Sequence, residues 1–219
     1  ITAVILPEFD TCMETPQHNP HHCRGVGDHI LYTLTGVEKE KVLRWAALLH
    51  DIGKPVTRTT DEQGIDHFHG HAKVGAEMAN GILRRLKFDN DTRKRIVKLV
   101  EVHDDRQIPL NHRGVRRAIH RIGADLFPDY LKLRRADSMA QNPALLKEKL
   151  ENIDETERLY NEILEARNCL SLKDLAVTGR DLIDAGVKPG PGLGIILNRM
   201  LEAVIEHPEY NTKEYLLER

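Results

Sequence analysis

The stretch Trp45-Ala46-Ala47-Leu48-Leu49-His50-Asp51-Ile52-Gly53-Lys54-Pro55 decides how this chain is read. An apolar helical run that ends on a histidine and an aspartate carries both into the interior before Gly53 stops the helix. A carboxylate taken into a core must be paired or must coordinate a metal, because its desolvation alone is costly. Working outward, apolar residues at helical spacing mark segments near 25–36, 39–52, 71–87, 91–103, 112–122, 124–140, 144–168, 179–185, 191–206 and 212–218. Asn111 caps the segment that opens at His112, Gly123 ends it, and Pro128 sits in the first turn of the next. No pair of runs alternates with period two around a hairpin turn, so the predicted fold class is all-α. Residues 53–70, with Gly53, Pro55, Gly64 and Gly70, form the longest loop, and long loops inside compact domains are often functional.

Histidines outline a site. Eleven of the 12 lie within residues 18–120, and several stand where a helix should be apolar. His71 heads a stripe with Val74, Met78 and Ile82, and His103 continues one formed by Ile96, Leu99 and Val100. Asp137 shares the face of Leu126, Tyr130 and Leu133, and His29 that of Val26 and Ile30. A single inward histidine is usually a hydrogen-bonded core residue, and an inward aspartate is often a cap. That reading weakens when five segments each bring such a group. Four imidazoles and two carboxylates without a thiolate suit one or two divalent ions, whether manganese, iron, cobalt, nickel or magnesium. Asp51 can place one oxygen on each of two ions, and two ions hold a phosphate and activate water.

Composition narrows the alternatives. The chain has 219 residues, and its 32 Lys+Arg nearly balance 34 Asp+Glu for a formal charge of -2, which excludes nucleic-acid binding by bulk positive charge. Aromatic residues are only 5%, against a base-stacking platform. Three cysteines, Cys12, Cys23 and Cys169, form no CxxC pair, which fits a reducing cytoplasm rather than a disulfide framework. No apolar run approaches the roughly 20 residues of a bilayer span, so no membrane partner is expected. The chain opens on Ile1 rather than Met, and is expected to be a piece of a longer protein. Lys54 and Arg58, just beyond His50-Asp51, are candidates to bind non-bridging phosphate oxygens and stabilise transition-state charge. Arg113, Arg116, Arg117 and Arg121 form a one-sided stripe opposite Val115, Ala118, Ile119 and Ile122. Its default reading is a solvated face, and its alternative is RNA phosphate contact. Gly190, Gly192 and Gly194 read as a turn into a helix, with no strand before them to make a phosphate loop. Asp89-Asn90-Asp91 reads as a helix cap.

The order His29, His50-Asp51, Asp137 resembles the H…HD…D signature of the HD superfamily of metal-dependent phosphohydrolases, and Leu48 to Pro55 is similar to its central motif. Phe68-His69-Gly70-His71-Ala72 and Val102-His103-Asp104 resemble the further histidine motifs of members that hold two metals, with Asp104 where many carry a second histidine. Three stretches resemble the C-terminal half of bacterial CCA-adding tRNA nucleotidyltransferases: Leu6-Pro7-Glu8, Gln17-His18-Asn19-Pro20-His21-His22, and the run Leu175 to Leu217, which contains Thr178-Gly179-Arg180-Asp181-Leu182 and Lys188 to Gly194. The resemblance implies a lead-in segment over 1–23, an HD-domain helical bundle over 24–142 and a helical tail over 143–219 that handles RNA. It implies metal ligation by His29, His50, Asp51, His71, His103 and Asp137, with His69 and Asp104 as supporting or additional ligands. The implied activity is hydrolysis of a phosphomonoester or 2′,3′-cyclic phosphodiester on a nucleotide or RNA end. The alternative is a tRNA-binding module with a vestigial or structural metal site, serving an N-terminal nucleotidyltransferase domain outside this chain.

Overall fold

The computed structural model describes residues 2–105 and 108–218. In chain order the helices are α1 (Thr2–Ile5), α2 (Pro7–Glu14), α3 (Val26–Gly36), α4 (Lys41–Leu49), α5 (Lys54–Thr57), α6 (His71–Arg85), α7 (Asn90–Val102), α8 (His112–Ile122), α9 (Phe127–Met139), α10 (Leu146–Glu165), α11 (Gly179–Asp184), α12 (Gly192–Glu206) and α13 (Lys213–Leu217). The strands β1 (Thr59–Thr60) and β2 (Asp66–His67) pair antiparallel, with Thr59 opposite His67 and Thr60 opposite Asp66. The all-α expectation holds. Among the described residues no helix is long and apolar enough to cross a membrane.

The chain divides into two units, Ile1–Arg106 with Leu126–Asp154, and Gln107–Asp125 with Glu155–Arg219. In the first, α3, α4, α6, α7 and α9 form a bundle in which α6 packs on α7, α4 on α7, and α3 on α9. Local sequence explains each boundary that matters to the site. The Glu40 side chain accepts from Leu43 N–H and starts α4, which buries Val42, Leu43, Ala46, Ala47 and Leu49. Asp89 does the same for α7 through Thr92 N–H, and α7 buries Ile96, Leu99, Val100 and Val102. Both helices end on a histidine still in helical geometry, His50 and His103, so each imidazole leaves from a helix end anchored by a buried face. Gly70, at φ +75°, supplies the left-handed step into α6, whose first residue is His71. A Cβ on Gly53 would lie 2.4 Å from the His71 carbonyl oxygen and 2.6 Å from Gly75 N, so glycine alone permits the approach that sets Asp51 beside α6.

The second unit centres on Cys169, Leu175, Val177, Leu182, Leu201, Val204, Ile205 and Leu216. Thr178 and Asp181 form a reciprocal capping box at α11. Helix α8 packs on α12, so the segment carrying the arginine stripe groups with this unit although its sequence position lies within 24–142.

Two features depart from the sequence expectation. Residues 2–14 are largely helical, yet α2 buries only Phe9 and Cys12, too few apolar positions to show a period. The 53–70 loop contains α5 and the β1–β2 ladder, whose two-residue strands are too short to reveal alternation.

Candidate metal centre

Within the first unit, α3, α4, the start of α6, the end of α7 and α9 aim six side chains at one point. Among the described residues, two donor groups lie with their ligand atoms within 4.8 Å of one another: His29, His50 and Asp51, and Asp51, His71 and His103. Asp51 is common to both. Its Oδ2 stands 3.2 Å from His50 Nε2 and 3.4 Å from His29 Nε2. Its Oδ1 stands 3.4 Å from His71 Nε2 and 3.5 Å from His103 Nε2. Asp137 closes the first group, with Oδ1 at 2.9 Å from His29 Nε2 and 3.8 Å from His50 Nε2. All six residues are buried.

The ring orientations carry the chemical information. Each Nδ1 faces a backbone carbonyl: His29 faces Ala140 at 3.4 Å, His50 Ala47 at 2.8 Å, His71 Phe68 at 2.8 Å and His103 Val100 at 2.7 Å. A nitrogen that faces a carbonyl must carry the proton, so each neutral imidazole presents a bare Nε2 to the centre. Those lone pairs meet head-on, His29 with His50 at 3.2 Å and His71 with His103 at 3.2 Å. Two acceptors at that distance repel, and a cation between them removes the repulsion. Metal-ligating histidines are held in this way, by a second hydrogen bond that fixes the tautomer. Imidazole nitrogens and carboxylate oxygens without thiolate fit a borderline divalent ion.

Electrostatics agree. Burial by itself would raise the Asp51 carboxyl, but the positive charge beside it, with the Lys54 ammonium at its Oδ2, holds it well below the usual carboxylate range. Lys54 is itself buried, with Nζ 2.7 Å from Asp51 Oδ2 and 2.7 Å from Gln17 Oε1. Gln141 Nε2 donates to Asp137 Oδ1 at 2.8 Å, and Lys149 donates to Gln141 Oε1. The His22 ring meets His29 edge-on at 4.8 Å. Burial, with the nearby Lys54 charge, pushes His22 down to about 2, which keeps it neutral. Sequence reasoning singled out neither Gln141 nor His22. The available signal for Gln141 was its i+4 spacing from Asp137.

Other expected residues lie elsewhere. His69 is exposed and stacks on His67 with centroids 5.6 Å apart, and Asp104 is exposed beyond the end of α7; neither belongs to the two donor groups. Arg58 turns to Asp66, with Nε 2.9 Å from Oδ1, because a fully buried carboxylate draws the nearest guanidinium. Arg116, expected on the open stripe, is buried and donates to the carbonyls of Ile205 and Glu206. Arg113 and Arg117 pair with Glu206, while Arg121 is exposed.

Asp66 is the hinge pin of the loop, an element the sequence did not flag. Its carboxylate accepts from His18 N–H at 2.8 Å, Arg58 Nε at 2.9 Å and Thr60 Oγ1 at 2.7 Å. Burial would raise its pKa, but these three donors outweigh that and hold it far below the ordinary value. Asp66→Ala is expected to cost about 2 kcal/mol in urea unfolding, discounted because the Arg58 side chain can turn to water. A depressed folded-state pKa contributes stability that is present above the unfolded carboxyl value of about 3.9 and lost as pH falls through the folded one. The gap between wild type and variant should therefore be full at neutral pH and narrow below about pH 4. A gap independent of pH would show that the carboxylate charge is not its source.

Residues 56–219 match the family model described as tRNA nucleotidyltransferase domain 2, putative. The chain is 34% identical over 212 residues to a CC-adding tRNA nucleotidyltransferase of Thermus thermophilus, covering 94% of this chain and 46% of that protein. It is 34% identical over 175 residues to an A-adding tRNA nucleotidyltransferase of Deinococcus radiodurans, covering 76% and 38%. Over 111 residues it is 32% identical to a multifunctional CCA protein of Actinobacillus pleuropneumoniae, covering 46% and 26%. The chain thus spans less than half the length of each of these relatives.

Proposed function

The chain belongs to the tRNA nucleotidyltransferase domain 2 family, and on that premise we propose that it is the tRNA-handling part of such an enzyme and carries a metal-dependent phosphohydrolase centre. The substrate class is a phosphomonoester or 2′,3′-cyclic phosphodiester on a nucleotide or RNA end. The observation that carries this reading is the convergence of four Nε2 lone pairs on the two oxygens of one carboxylate, Asp51. Divalent ions bound there supply Lewis-acid charge stabilisation and a nucleophilic water near neutral pH. His29, His50, Asp51 and Asp137 are the donors for one ion, and Asp51, His71 and His103 for a second. Lys54 adds a fixed positive charge beside Asp51, placed to meet a phosphate oxygen and to stabilise charge that develops on it.

A second reading rests on the same lysine. An ammonium at 2.7 Å from Asp51 Oδ2 partly satisfies the carboxylate, as expected of a tRNA-binding module whose metal is structural. Metal analysis of the purified chain, together with a screen of phosphomonoesters, 2′,3′-cyclic nucleotides and 3′-phosphorylated RNA ends with manganese, cobalt, nickel and magnesium, separates the two. Turnover that is lost on chelation and restored by metal supports the enzyme. A metal-replete chain that binds tRNA and hydrolyses none of these substrates supports the module.

A further inference from the structure

The segment 17–22 runs beside the first donor group, where Gln17 meets Lys54 and the His22 ring meets His29. Its backbone is pinned on two sides. His18 N–H donates to Asp66 Oδ2 at 2.8 Å, Asp66 N–H donates back to the His18 carbonyl at 2.8 Å, and Asn19 Nδ2 donates to the Asp66 carbonyl at 3.1 Å. Asn142 donates through its backbone N–H to the His21 carbonyl at 3.0 Å and through Nδ2 to the Pro20 carbonyl at 2.9 Å. Two side-chain atoms of this held segment are buried without a partner among the described residues, Gln17 Nε2 and His22 Nδ1. Gln17 is the sharper case, at only 7% exposed. The sense of its carboxamide is determined: an ammonium can only donate, so the atom 2.7 Å from Lys54 Nζ is Oε1, and the amide N–H groups are left over. Lys54 is also left with a donor. Its Nζ carries three protons, and the oxygens near it are Asp51 Oδ2 and Gln17 Oε1, each at 2.7 Å, so one proton has no acceptor among the described residues. Buried donors without an acceptor are destabilising, and two side by side are satisfied together by one shared oxygen.

We propose that Gln17 binds substrate, its Nε2 forming with Lys54 Nζ a two-donor cradle for one non-bridging oxygen of a phosphate held at the first donor group. The proposal rests on the phosphohydrolase reading for the place of that phosphate. Hydrogen bonds to a charged oxygen are the strong class, and a neutral amide adds one without a second cation to repel the metal. Asp66 and Asn142 fix the segment before any ligand arrives, so the donor is aimed in advance.

The test is calorimetric titration of inorganic phosphate into the full-length, manganese-loaded chain, dialysed free of excess metal. Gln17→Met keeps the apolar stem and removes the donor, and should weaken phosphate by about tenfold to a hundredfold at full metal load. Gln17→Glu keeps an oxygen for Lys54 but turns the donor into an anionic acceptor, and should weaken phosphate at least as much, because like charges repel. Metal stoichiometry and melting temperature report whether each variant is otherwise intact. A glutamine with a structural role alone would move those two readouts and leave the phosphate affinity of the loaded protein unchanged. Wild-type phosphate affinity in a loaded variant of either kind would overturn the proposal. So would a loaded wild type that takes up no phosphate, and so would loss of metal from both variants, which would assign Gln17 to the metal rather than to substrate. Binding needs no turnover, so the two readings fail separately. A chain that hydrolyses nothing yet binds phosphate through Gln17 keeps the cradle and forfeits the activity. A chain that turns over substrate with phosphate affinity unchanged in both variants forfeits the cradle alone.

Discussion

Asp51→Ala is expected to leave a folded protein that has lost bound metal and, with it, at least about a thousandfold of the phosphohydrolase turnover proposed for this centre, the scale seen when a member of a concerted catalytic unit is removed. The reason is its double duty. Every other donor belongs to one group, whereas the two Asp51 oxygens face His29 and His50 on one side and His71 and His103 on the other. The fold should survive because the side chain is short and its removal opens little volume, while Ala46, Ala47, Leu49 and Ile52 around it stay fully buried. Metal content, far-ultraviolet circular dichroism and turnover after chelation and add-back measure the three parts independently. Wild-type turnover in the variant would assign the activity to another site. His71→Ala, by contrast, should remove one ion equivalent and leave the other, because His71 contributes to one group only.

How much of this was legible in the sequence follows from what makes a residue conspicuous. His29, His71, His103 and Asp137 were visible because a polar group in an apolar stripe breaks a pattern that helical geometry imposes. Their helices were visible for the same reason. Asp66 was not, because it lies in a loop whose regular structure is the four-residue α5 and a two-residue ladder, and burial there leaves no periodic trace. Arg58 looked like a phosphate ligand because it follows His50-Asp51 closely, and only the fold shows the buried carboxylate that takes it. Arg116 illustrates the limit most clearly. On α8 it stands at the same spacing as Arg113 and Arg117, yet the end of α12 offers it two carbonyls and covers it. An amphipathic pattern tells which residues can face water; it cannot tell which part of that face another helix will cover.

Lys54 allows a sharper test than the ligands, because its removal should act in opposite directions on metal binding and on chemistry. The side chain is 4% exposed, and its Nζ sits 2.7 Å from Asp51 Oδ2, on the side of the carboxylate that faces His29 and His50. A fixed positive charge there repels any divalent ion at the first donor group. At an effective dielectric near 20, two unit charges about 4 Å apart interact by about 4 kcal/mol, so even partial relief is large. Lys54→Met keeps the apolar stem and removes the charge, and should tighten metal binding by at least about tenfold. The chelated variant should be less stable than the chelated wild type, because Asp51 loses a buried counter-charge, and added metal should restore it. The melting-temperature gap between chelated and loaded forms should therefore widen. Turnover should move the other way, falling by about a hundredfold to a thousandfold if the ammonium stabilises charge developing on the phosphate. Tighter metal with slower hydrolysis is the signature of a cation placed for substrate at a cost in metal affinity. Tighter metal with unchanged hydrolysis would make Lys54 only a stand-in charge for the metal-free protein, and would shift the balance toward the tRNA-binding module.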